Sequence, residues 1–160
     1  MEPRIAIDAH ADGGVVVDLP ESLRALITSS AQMVVDVVTI PAQVHTPGWN
    51  RLFPNAVIDD PAAARRVDDR IGPSIRDRKA AAAMTTRATA AAERLSRADA
   101  VAWMRTLNDA RLLFGTRIGI RADVPMEGYL EQPETADIAR AYLTVSGLVD
   151  LLVRAIEPAD

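Results

Sequence analysis

The chain has 160 residues, a net charge of −4, and a composition of 49% apolar and 25% charged residues. That is the balance of a soluble globular protein, and one domain of this size buries about 70% of the surface its unfolded chain exposes. There is no cysteine, which excludes disulfides, thiolate metal sites and thiol redox sensing, and no run approaches the roughly 18 apolar residues that a membrane span needs.

Aromatic residues are only 4% of the chain, so the core must come from Leu, Val, Ile, Met and many alanines. Alanine has the best helix propensity, and the expectation is a single, mainly α domain. Residues 1–20 form the exception. Ile- and Val-rich runs at residues 4–10 and 15–19 flank Asp12-Gly13, a tight-turn signal, which predicts a β-hairpin. Two strands are marginal alone, and residues 117–120 are the candidate third strand.

Residues 21–39 read as a helix, with Leu23, Leu26, Ile27, Met33, Val34, Val37 and Val38 at helical spacing until Pro41 ends it. Residues 40–59 read as a loop because of Pro41, Pro47, Gly48 and Pro54, but Trp49, Leu52 and Phe53 should pin it to the core. Asp60 and Pro61 mark a capped helix start, and residues 60–95 are expected to form a helix broken at Gly72-Pro73. Its buried stripe would be Ile75, Ala80, Met84, Ala88, Ala91 and Leu95.

The clearest helix is residues 96–115. Ser96 is the N-cap, Asp99 sits favourably in the first turn, and Ala100, Trp103, Met104, Leu107, Ala110 and Phe114 share one face. Gly115 is the expected left-handed stop, followed by an extended run. A turn-rich linker with Pro125, Gly128 and Pro133 leads to an amphipathic helix at residues 134–157, where Ile138, Tyr142, Val145, Val149, Leu152 and Ile156 form a bundle seam. Its apolar face and that of residues 23–38 exceed what one small monomer easily covers, which points to a homodimer.

The chemistry-bearing residues are few. No phosphate-binding glycine loop is present, and His10 and His45 have no partner spacing for a metal. The pairs Asp59-Asp60 and Asp68-Asp69 are read as capping and solvated residues rather than metal ligands. The best polar constellation is Asn108, Asp109, Arg111 and Arg117. Asn108 and Arg111 are one turn apart, and Arg117 is the candidate partner for Asp109. No catalytic set, cofactor or metal follows from these residues. Charge is uneven: residues 62–121 carry +7 and the remainder −11. This gives either solvated helix faces or a basic surface around Arg65, Arg66 and Arg70 for a protein partner or nucleic acid. The N-terminal residues lack a basic region followed by an apolar segment, so a cytoplasmic location is expected.

Three segments, RLFPNAVIDDP, WMRTLNDARLLFGTRIGI and YLTVSGLVDLLVRAI, resemble the actinobacterial AosR-like proteins, a domain of unknown function that includes an actinomycete oxidative stress regulator. The resemblance implies a non-enzymatic, helix-rich cytoplasmic regulator of stress-responsive transcription, acting through a sigma factor or other transcription machinery. Redox sensing in that family is tied to paired cysteines, which this chain lacks, so thiol oxidation is not its input. The alternative is a protein-interaction adaptor or structural protein without nucleic-acid contact.

Overall fold

The structure, a computed structural model, describes residues 2–54 and 61–157, without the side chains of residues 61, 64, 65 and 67–74. The described residues form a helical bundle with a small antiparallel sheet at one end. Strands β1 (Ala6–Ala9) and β2 (Val15–Asp18) make the expected hairpin, with Ile7 opposite Val17. Gly13, at φ 86°, takes the turn position that glycine favours. Ile7, Val15 and Val17 point inward onto the helices. Helix α1 (Glu21–Thr39) follows, and a 3-10 turn at Pro41–Gln43 leads to the short helix α2 (Pro47–Leu52). The segment expected as a loop therefore contains helix, with the Thr46 hydroxyl capping it by accepting from the Trp49 N–H. Trp49 and Leu52 are buried, so the expected pinning to the core holds.

Helix α3 (Pro61–Thr89) runs through Gly72-Pro73 without a break. The expected interruption does not occur: a proline removes one donor and crowds one turn, and a long helix packed along α1 and its successor can absorb that local loss. The N-cap expected at Asp60, and the pair Asp59-Asp60, lie outside the described residues, as do the side chains of Asp68 and Asp69. The buried stripe also differs from the expected one. Ala83, Thr86 and Ala90 face the core, whereas Met84 is 45% exposed and Ala88 and Ala91 are exposed. In an alanine-rich helix several faces have similar hydropathy, and Met84 drew the expected stripe off the true face.

Helix α3 ends well before residue 95. Arg94–Leu95 is strand β3, which pairs with β2 through Val15 opposite Leu95 and completes a sheet ordered β1-β2-β3. The third strand thus comes from these residues and not from residues 117–120. Of the latter, Arg117 and Ile118 lie in the last turn of helix α4 (Arg97–Ile118), whose N-cap Ser96 accepts from the Asp99 N–H as expected. Gly115 is inside this helix. The left-handed C-cap is Gly119, at φ 63°, because Leu113, Phe114 and Ile118 continue the buried face past Gly115. The expected linker contains helix α5 (Met126–Glu131), and helix α6 (Ala136–Ile156) closes the chain.

The most extensive contact joins α4 to α6, so these helices are central as expected. Trp103, Leu107, Val145 and Leu152 are fully buried in the main core with residues of the hairpin, α1 and α3. Trp103 is satisfied there by donating from Nε1 to the Thr89 hydroxyl at 2.7 Å. A smaller cluster of Ile118, Tyr129 and Ala139 seats α5, and the Tyr129 hydroxyl donates to the Gly119 carbonyl.

Candidate functional site

The polar residues singled out on α4 separate into two sets. Arg111 donates to Asn108 Oδ1 at 2.7 Å, so one helical turn does bring these two together. Arg117 is exposed in the last turn and does not meet Asp109. The expected pairing fails because the helix continues past Gly115, so Arg117 stays on it rather than returning along an extended strand. The partner of Asp109 is Lys79 of α3, whose Nζ donates to Oδ1 and Oδ2 at 2.9 and 3.0 Å.

This pair sits at the α3–α4 contact, with side-chain exposures of 24% for Lys79 and 10% for Asp109. Burial raises the Asp109 pKa above its ordinary value of 3.8, and the Lys79 hydrogen bond and charge act in the opposite direction. Desolvation therefore outweighs the attraction at this carboxyl. Ile75, Arg78, Ala82, Arg105 and Asn108 join the pair around an open groove of about 330 Å³. Lys79 was missed in the sequence although it is the only lysine in the chain. A usable signal was its place in one row with Ala83, Thr86 and Ala90, the face that turns inward.

The basic trio on the first half of α3 is less defined. Arg66 is exposed, while the side chains of Arg65 and Arg70 lie outside the described set. Further along, the Arg76 guanidinium lies 5.1 Å from the Trp49 ring centroid, over the aromatic pair Trp49–Phe53. Many other arginines serve the fold. Arg24, unremarked in the sequence, donates to the carbonyls of Val17, Leu19, Ala90 and Ala92 at 2.9–3.2 Å, tying the hairpin to the end of α3.

A second, more open recess of about 460 Å³ lies between the hairpin turn and the start of α4. Arg94 donates to Asp12 Oδ2 at 3.1 Å, and His10 Nδ1 is 3.0 Å from Asp12 Oδ1. The Gly14 N–H, then His10, then Arg94 hold the Asp12 carboxyl below its ordinary pKa. The Gly14 contact is an Asx-type turn, so this cluster is accounted for by shaping the hairpin. Among the described residues, no three His, Asp or Glu side chains gather to hold a metal, and no helix is long and apolar enough to cross a membrane.

A family model matches residues 4–156, which includes both recesses and every helix. The chain belongs to the DUF2017 family, a domain of unknown function. No curated protein and no solved structure is significantly similar to it. In this DUF2017 domain the string LNDARLLFGTRIGI has a structural account. Leu107, Leu113, Phe114 and Ile118 are core, Asp109 is the buried acceptor of Lys79, and Gly119 is the helix stop. The groove along α3 and α4, which this string lines through Asn108 and Asp109, remains open at the surface.

Proposed function

We propose that the protein is a non-enzymatic cytoplasmic regulator that binds macromolecular partners in stress-responsive transcription, as an AosR-like member of its family that does not sense through cysteines. The observation that carries this reading is the α3–α4 groove, where, among the described lining residues, Lys79 and Arg105 outnumber the carboxylate Asp109. A recess with surplus positive charge on rigid helices suits recognition of an anionic surface. The likeness of the α4 segment to AosR-like proteins supplies the biological setting, with a sigma factor or other transcription component as the protein partner. The sulfur that oxidants can attack in this chain is that of its methionines, and their oxidation damages packing rather than closing a tuned switch.

The test is a pull-down from native lysate with the intact chain and with Arg65, Arg66 and Arg70 reversed to Glu. The expected outcome is recovery of a transcription component with the intact chain and its loss with the reversed one. Salt-dependent retention on DNA, measured separately, distinguishes a direct nucleic-acid contact from a protein contact. Recovery of no transcription component in either arm would favour a protein-interaction adaptor.

A further inference from the structure

The internal ion pair does not cancel the charge of the α3–α4 groove. Lys79 gives Asp109 hydrogen bonds to both carboxylate oxygens, but an ammonium carries three N–H groups. At least one remains for a ligand in the groove that Lys79 lines. Arg105 lines the same groove, is exposed, and has no ion pair among the described residues. Asn108 uses its carbonyl oxygen to accept from Arg111, which leaves its amide N–H groups as donors. Ile75 and Ala82 supply an apolar part of the wall. The lining thus combines several donors, a positive charge beyond the ion pair and a small apolar surface.

That combination fits a carboxylate next to an apolar side chain better than it fits a phosphate backbone. Duplex DNA is held by cations set out along a track. Several arginines elsewhere on and around α3 and α4 are already engaged: Arg87 with Gln32, Arg94 with Asp12, Arg97 with the Ile156 carbonyl and Arg121 with Asp123. Arg117 lies about 18 Å further along α4 by the helix rise, too far to act in the same recess. We propose that the α3–α4 groove is a docking site for an acidic peptide segment of a partner protein. A Glu or Asp carboxylate is held by Lys79 and Arg105, and an adjacent apolar side chain lies against Ile75 and Ala82. This rests on the reading of the protein as a binding regulator and names the chemistry of its partner.

The experiment is fluorescence anisotropy of the full chain with a labelled peptide of alternating Glu and Leu, beside the same peptide with Gln for Glu and a short DNA duplex. The acidic peptide should bind in a salt-sensitive way, and the Gln peptide should not. Arg105→Glu should weaken binding about ten-fold, the size of one close charge contact near a surface, while Arg117→Glu leaves it unchanged. Arg105 is exposed, so the fold tolerates its change. Asp109→Asn removes the competing carboxylate and should tighten binding, which a merely structural role for the pair would not do. Equal binding of the Gln peptide, indifference to Arg105→Glu, preference for the duplex, or no binding at all would each overturn the assignment. Capture of a transcription component from lysate that Arg105→Glu fails to release would sink the groove assignment and leave the regulatory reading standing. Peptide binding as described, with no transcription component captured, would do the reverse.

Discussion

Two charged side chains, Asp109 and Arg24, carry the clearest consequences for single residues. Burial raises the pKa of Asp109 in the folded protein, so between its unfolded and folded values the native state holds more protons than the unfolded one. The stability it contributes is fully present below its ordinary value of 3.8 and is lost as pH rises through the elevated folded value. Asp109→Asn should remove that loss, so the variant gains on the parent as pH rises through this window. Denaturant midpoints measured across mildly acidic to neutral pH check the sign; a parent that gains on the variant would contradict it. The fully exposed Asp12 works in the opposite direction, its stabilising contacts being lost on acidification. Arg24 is partly buried and its guanidinium donates to four carbonyls. Arg24→Met keeps much of the stem and removes every one of these bonds. A cost of about 1.5–3 kcal/mol is expected, the scale of hydrogen bonds to a charged group, read as a lower urea midpoint.

Among the elements, periodicity identified α1, α4 and α6 because each has large apolar residues on one face and weaker ones elsewhere. The same reading misplaced the stripe of α3, where alanines surround the axis and little distinguishes one face from another. Local chemistry at Pro73 predicts a break, whereas α3 taken as a whole packs along both α1 and α4 and stays one helix. Strand β3 is a two-residue element that follows a helix, too short for any alternation to show. The site was half readable: Asp109 stands out within the polar constellation of α4, but its partner lies 30 residues away on another helix. The end of α4 offers a direct test, since two glycines there have different roles. A Cβ at Gly115 would meet Tyr142 at 3.5 Å, an ordinary contact, inside a helix. Gly115→Ala should therefore stabilise the protein by up to about 1 kcal/mol. Gly119 sits at φ 63°, where a Cβ is strained, and Gly119→Ala should cost about 1 kcal/mol. Thermal midpoints moving in opposite directions are the expected result. A loss at position 115 would mean that the helix stops there after all.

For the molecule as a single body, the apolar faces that suggested self-association are largely used within the chain. Ile27, Val34 and Val38 of α1 and Val145, Val149 and Leu152 of α6 are buried in the common core. Leu143, at 43% exposed, is the large apolar residue that α6 leaves outside. Among the described residues, the large apolar side chains left exposed for a homodimer are Ile5, Ile40, Val44, Met84, Val124 and Leu143. Sedimentation velocity at high micromolar concentration is expected to show a monomer. A concentration-dependent dimer abolished by Leu143→Lys would show that α6 carries an interface.

The anchoring of the first strands by Arg24 bears on how the chain is made. Arg24 is 66 and 68 residues ahead of the carbonyls of Ala90 and Ala92 that it binds, and β2 waits longer still for β3, which begins only at Arg94. At a synthesis rate of about 5–20 residues per second, the hairpin emerges from the ribosome roughly 4–15 s before the residues that hold it in place. Until then its inward-facing Ile7, Val15 and Val17 have neither the third strand nor α6 to cover them. The first segment to be translated is thus among the last to be locked. During that interval it is the part of the nascent chain most open to capture by a chaperone or by another strand edge.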